Sequence, residues 1–240
     1  MQNTIQKAIS YFTPFERGLW FSSVCIIAAC FLLGGQFDAL YCFTTILGVS
    51  ALVFLAKGNV LGQVLIVLFS LLYGYISFRF AYYGEMVTYL GMTAPMALLA
   101  AIEWYRHPAA KGKAEVLIIP LTKVKLLRLG LATVGVTVLF YCILGFFGTA
   151  YLPLSTLSVT TSFFAMGITY YRSPWYAIAY ACNDLVLIAL WLLSSMQDPA
   201  YFTMALCFAL FFINDLYGFY NWNKMKAAQA KARAAAQKEG

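Results

Sequence analysis

The sequence predicts an all-α integral membrane protein of eight transmembrane helices: one extra N-terminal helix, then two three-helix repeats joined by a linker helix. Three observations lead there. The 240 residues are 62% hydrophobic and only 10% charged, with a mean hydropathy of +0.78, whereas a soluble domain carries about 25% charged residues. The apolar runs are continuous and about 20 residues long, the length a helix needs to cross a hydrocarbon core of about 30 Å. A β-barrel would instead show alternating segments of about ten residues. Finally, every Lys and Arg except Arg79 falls on one side of the resulting path, which explains the net charge of +7 without a nucleic-acid surface.

Taken in order, Ile5, Ala8, Ile9 and Phe12 recur at helical spacing among Gln2, Asn3, Gln6 and Lys7, and Pro14 ends the pattern. This predicts an amphipathic helix lying in the interface over residues 1–17. A signal peptide is the competing reading of residues 1–34. Glu16 stands just before the apolar run and no small-residue cleavage site follows, so the run is read as a retained first span, 18–34. The remaining spans are predicted at 38–56, 60–82, 86–104, 127–147, 152–171, 174–195 and 200–222. Between them lie a basic loop over 105–126 and, after the last, a basic tail over 223–240. The loops on the other side hold Asp38, Glu85 and Asp198 and no Lys or Arg. The positive-inside rule then puts both termini in the cytoplasm, and Arg79 reaches the headgroups by snorkelling. The six cysteines all fall inside apolar stretches without ligand spacing and read as small apolar residues.

Weak internal symmetry divides the spans. Lys57-Gly58 opens the third span after a very short turn, and Arg172-Ser173-Pro174 opens the seventh likewise. Trp104-Tyr105-Arg106 closes the fourth span, and Trp222-Asn223-Lys224 closes the eighth. Two parallel triplets are therefore expected, 38–104 and 152–222, with 127–147 as the linker helix.

Polar groups inside the membrane are costly and usually face a cavity or a partner. Asn183-Asp184 lies about halfway along the seventh span, and Asn214-Asp215 about two-thirds along the eighth. Neighbours on a helix point about 100° apart, so one member of each pair suffices to face a common cavity. Asn183 and Asn214, with Gln63 in the third span, are the expected amide and hydroxyl contacts. Asp184 is expected to accept from hydroxyls or favour a cation, and Tyr217, Tyr73 and Phe69 to flank a ring. Asp215 shares a face with Gly218 and Trp222 and is expected to tie helix ends. Pro95 removes a backbone hydrogen bond in the fourth span and is the expected bend. With no intramembrane Lys or Arg cluster to hold a phosphate, the cavity suits a neutral or cationic, hydroxyl-rich, ring-bearing solute. The competing reading makes these residues interhelical glue in a sensor or scaffold.

Enzyme chemistry fits poorly. The only histidine, His107, sits in a loop beside Pro108, away from any intramembrane nucleophile. Asp184 and Asp215 lack the Gly-x-Gly context of intramembrane aspartyl proteases, clustered metal ligands are missing, and no phosphate-binding glycine loop occurs. No cofactor is expected.

Lys57-Gly58-Asn59, Tyr83-Gly84-Glu85-Met86 with Pro95 following, and Trp104 resemble the first half of the bacterial nicotinamide riboside transporters, the PnuC family. Arg172-x-x-Trp175, Asn183-Asp184 and Asp215-Leu216-Tyr217-Gly218 with Trp222 resemble the second half. The likeness covers roughly residues 38–224. Around Trp175 this chain has Pro174 and Tyr180 where family members often carry an acidic residue and a second Trp. The resemblance implies a 3+1+3 fold like the SWEET sugar transporters, preceded by an extra helix, in a homotrimer of the bacterial inner membrane. It also implies uptake of nicotinamide riboside, an NAD precursor, by facilitated diffusion, with trapping by a cytoplasmic kinase. Relatives that move other vitamin precursors such as thiamine leave that substrate class as the alternative.

Overall fold

A computed structural model describes residues 11–33, 38–110, 112 and 114–239. Among the described residues, eight helices are long and apolar enough to cross a membrane. They are α1 (Pro14–Leu33), α2 (Ala39–Ala56), α3 (Val60–Arg79), α4 (Tyr83–Arg106), α5 (Lys123–Phe146), α6 (Leu152–Tyr170), α7 (Trp175–Ser195) and α8 (Phe202–Glu239).

Local chemistry sets the helix starts. Thr13 and Glu16 form a reciprocal capping box: the Thr13 amide donates to Glu16 Oε2 at 2.7 Å and the Glu16 amide to Thr13 Oγ1 at 3.2 Å. Pro14 then occupies the first helical turn, where its missing N–H costs nothing. The first span therefore begins four residues earlier than expected, and Pro14 opens a helix as well as ending the preceding pattern. Most of the expected interfacial helix, residues 1–10, lies outside the described residues. Asp38 caps α2 by accepting from the Tyr41 amide, and Asn59 caps α3 by accepting from the Leu61 amide, both at 2.9 Å. The expected tail over 223–240 is a continuation of α8, because its run of Ala, Lys, Gln and Arg consists of strong helix formers.

The helices pack as two files. In one, α2 packs on α3 and α3 on α4; in the other, α6 packs on α7 and α7 on α8. The files are joined twice, by α8 against α2 and by α4 against α6, while α5 leans on α6 and α1 lies outside against α2 and α8. Ile27 and Phe31 of α1 bury against Cys42 and Val49 of α2 and Cys207 of α8.

The end carrying Lys57, Arg106, Arg172 and Lys224, here the basic end, is filled by Leu55, Trp104, Tyr176 and Trp222. A strap from the connection between α4 and α5 lies over it, with Val116 and Ile118 buried in the same core. The Val116 amide donates to the Gly58 carbonyl at 2.9 Å and the Ile119 amide to the Arg172 carbonyl at 3.2 Å. Gln229 of α8 grips the strap from the far side: its Oε1 accepts from the Ile118 amide, and its Nε2 donates to Glu115 Oε1 and the Val116 carbonyl. Gly58 sits at φ +61°, a left-handed backbone conformation that favours glycine, with the tip of the Met225 side chain packed beside it.

Candidate functional site

Between the two files, midway along the bundle, lies a cavity of about 170 Å³. Gln63, Phe69 and Tyr73 reach it from α3, and Asn183 and Asp184 from α7. Five of the seven expected contact residues therefore converge. Gly48 on α2 makes room for one of them, since a Cβ there would stand 3.1 Å from the Phe69 ring. Phe69 stacks on Tyr73 with centroids 5.6 Å apart, and Tyr73 lies against Tyr89 at 4.4 Å.

The polar groups are arranged unevenly. Asn183 is held by Thr161, whose hydroxyl donates to its Oδ1 at 2.8 Å, leaving the amide nitrogen as donor toward the space. Asp184 and Asp215 both line the cavity, from α7 and α8 respectively. Gln63 Nε2, Asp184 Oδ2 and Trp191 Nε1, all lining this cavity, are buried without any hydrogen-bond partner. Buried polar groups are normally satisfied, so three orphans around one hollow mark where a ligand's polar atoms belong.

Asn214 and Tyr217 are not brought to the cavity. Asn214 turns toward α1, with its Nδ2 3.5 Å from Ser23 Oγ and donating to the Leu210 carbonyl at 2.8 Å. Tyr217 donates its hydroxyl to Glu16 Oε1 at 2.8 Å and rests on Phe15. Of the pair on α8 it is Asp215, expected at the helix end, that lines the cavity. The first helix is the reason: it covers the α8 face that carries Asn214 and Tyr217 and supplies them with partners.

Two further liners are Glu85, placed outside the fourth span by its expected start at residue 86, and Tyr89, which lies within that span but was not singled out. The helix begins at Tyr83, which places Glu85 in its first turn, facing inward, with the Tyr73 hydroxyl donating to its Oε2 at 3.1 Å. Tyr89–Thr93 form a π turn immediately before Pro95, and the Ala94 amide donates back to the Tyr89 carbonyl. Pro95, in the first turn of the helical segment Ala94–Arg106, has no N–H to donate, and the π turn lies directly ahead of that segment.

Toward the opposite, acidic end the central cavity adjoins a vestibule of about 330 Å³, with which it shares Tyr73, Glu85 and Trp191. Toward the basic end the Trp104 and Trp222 core closes the path. Among the described residues, no Lys, Arg or His lines either space.

The family model described as nicotinamide mononucleotide transporter matches residues 38–224. The chain belongs to that family. It is a family of membrane transporters and not of enzymes. Among similar proteins, the nicotinamide riboside transporter PnuC of Neisseria mucosa is 27% identical over 184 residues, covering 74% of this chain and 69% of that one. The transporter of the same name from Haemophilus influenzae is 25% identical over 224 residues, covering 92% and 94%. The crystal structure of the vitamin B3 transporter PnuC matches with a TM-score of 0.75 at 23% identity, over 91% of this chain and 94% of that chain. That likeness establishes the shared fold.

Proposed function

We propose that the chain carries nicotinamide riboside across the bacterial inner membrane by facilitated diffusion with alternating access, as a homotrimer. The acidic end faces outward, and the basic end, with both termini, faces the cytoplasm. One observation carries the reading: Gln63 Nε2, Trp191 Nε1 and Asp184 Oδ2, two donors and one acceptor, stand unpartnered around a single aromatic-walled cavity. A riboside supplies hydroxyls that serve both donors and acceptors, an amide, and a cationic ring for Phe69 and Tyr73. Asp184 and Asp215, which both line that cavity, offer the cation its counter-charge.

The family description speaks of the mononucleotide, the two named relatives of the riboside. The lining favours the riboside. A phosphate brings up to two negative charges, and among the described residues neither cavity offers a Lys, Arg or His to receive them.

Alternating access is supported by two-fold equivalent joints. Trp104 donates to the Thr169 carbonyl, to which the Arg172 amide also donates; Trp222 donates to the Leu55 carbonyl, to which the Gly58 amide also donates. Each third helix of a triplet is thereby tied to the first helix of the other, consistent with a 3+1+3 parallel repeat of 38–104 and 152–222.

Purified chain in liposomes is expected to equilibrate labelled riboside with no ion gradient, and Gln63→Ala to slow it by about tenfold, the value of one buried hydrogen bond. Equilibration no faster than in empty vesicles overturns the proposal. Preference for thiamine over riboside keeps a transporter and replaces its substrate.

A further inference from the structure

The vestibule at the acidic end is a separate space with a lining of its own. Among the described residues its charge-bearing liners are Asp38, Glu85 and Asp198, all acidic. Arg79 approaches only from outside, 3.4 Å from Asp38. Its volume of about 330 Å³ lies within the range of about 300–1,000 Å³ typical of small-molecule sites.

Aromatic rings line it in two files that converge on the central cavity. On one side Tyr82 and Tyr201 meet hydroxyl to hydroxyl at 2.9 Å, and Tyr201 lies against Trp191 with centroids 5.5 Å apart. On the other side Phe31 meets Tyr41 at 5.3 Å, Tyr41 meets Tyr73 at 5.8 Å, and Tyr73 stacks on Phe69. Tyr73 and Trp191, one from each file, form the neck together with Glu85. The Tyr201 hydrogen bond, with burial second, pushes the Tyr82 phenol up to about 12, so Tyr82 stays uncharged at neutral pH.

Carboxyl groups beside ring faces, without a lining cation, attract flat positive rings and repel anions. We infer that this vestibule is a second binding site, an outer station that holds a flat aromatic cation before it passes the Tyr73–Trp191 neck into the central cavity. The inference rests on the transport reading above and adds a site to it. The two spaces share only neck residues, and Tyr201 and Asp198 line the vestibule alone.

The test is calorimetric titration of the purified full chain with nicotinamide riboside, with 1-methylnicotinamide as a compact cationic probe and with neutral nicotinamide. The riboside is expected to give two binding events. Tyr201→Leu, and independently the exposed and conservative Asp198→Asn, weaken the looser event by about tenfold and leave the tighter one within about twofold. Gln63→Ala does the reverse. The methylated cation occupies the looser site, and neutral nicotinamide binds it at least about tenfold more weakly. A single event per chain, or variants that weaken both events together, overturns the outer station. If riboside crosses liposomes yet binds once per chain, transport stands and the station falls. If two events are seen but riboside does not cross, the station stands and transport falls.

Discussion

Trp104 and Trp222 stand ring to ring at the basic end, 5.3 Å between centroids, and each indole N–H reaches into the opposite file of helices, to Thr169 at 3.0 Å and to Leu55 at 2.8 Å. Both side chains are fully buried. Their two carbonyl partners lie at matching points, each just before a residue in left-handed conformation, Gly58 at φ +61° and Arg172 at φ +58°. A non-glycine residue there costs roughly 1–3 kcal/mol, and Arg172 is held by a 3.3 Å ion pair with Glu103 and by its backbone bonds to Thr169 and Ile119. Trp104→Phe and Trp222→Phe are therefore expected to destabilise the purified protein by similar amounts, about 1–2 kcal/mol each from the lost hydrogen bond. The double variant should depart from their sum, because the rings touch. Thermal unfolding in detergent measures all three.

Glu16 carries the second prediction. It is 1% exposed and receives Thr13, Lys57 and Tyr217 at once, with Lys57 Nζ 3.1 Å from each carboxylate oxygen. Lys57 also lies over the Tyr11 ring, 4.7 Å from its centroid. Glu16→Gln keeps the shape and removes the charge, so Lys57 is left poorly compensated. Because Lys57 retains 17% exposure, the expected loss is about 2–3 kcal/mol, below the 3–5 of a fully buried pair. Lys57→Met in the same background should recover part of it, as read by the unfolding midpoint.

The grip of Gln229 on the strap gives a third. Gln229→Ala removes three hydrogen bonds to residues 115–118 while leaving the apolar contacts of Val116 and Ile118 in place. Hydrogen exchange of the Ile118 amide is expected to quicken by about tenfold or more, with the transmembrane helices unchanged. Unaltered exchange at Ile118 would show that the buried apolar side chains alone hold the strap.

A fourth concerns alkaline pH. Tyr82 is raised from its ordinary value of 10.0 to about 12, first by its hydrogen bond to Tyr201 and then by burial. A phenol that keeps its proton more tightly in the folded state contributes stability that is complete below pH 10 and fades as pH rises toward 12. Tyr201→Phe should return Tyr82 toward 10 in an absorbance titration of the phenolates, and the part of the alkaline loss of stability between pH 10 and 12 that comes from Tyr82 should flatten.

Much of this architecture was legible because the bilayer imposes a simple rule on length and polarity. Seven of the eight spans lie within a few residues of where apolar run length puts them, and the eighth, α8, starts there and then runs on to Glu239. What escaped was set by tertiary contact or by local capping. Asn214 and Asp215 are chemically similar in sequence, and which of them meets the cavity depends on where α1 lies, something no periodicity encodes. Glu85 was misassigned to a loop because a carboxyl interrupts an apolar count, although a helix favours acid in its first turn. By contrast, Thr13-Pro14-Phe15-Glu16 carried a readable start signal in the chain itself.

The unbroken course of α8 from bilayer to Glu239 has a mechanical consequence. From Trp222 onward the rod projects about 25 Å at 1.5 Å per residue. A rocking of the last membrane segment by 10° would sweep its free tip through roughly 4 Å, and the clasp at Gln229 would drag the interhalf connector along with it. The projecting end thus behaves as a pointer, amplifying a small hinge movement near the middle of the bilayer into a displacement wide enough for a fluorescent label to follow.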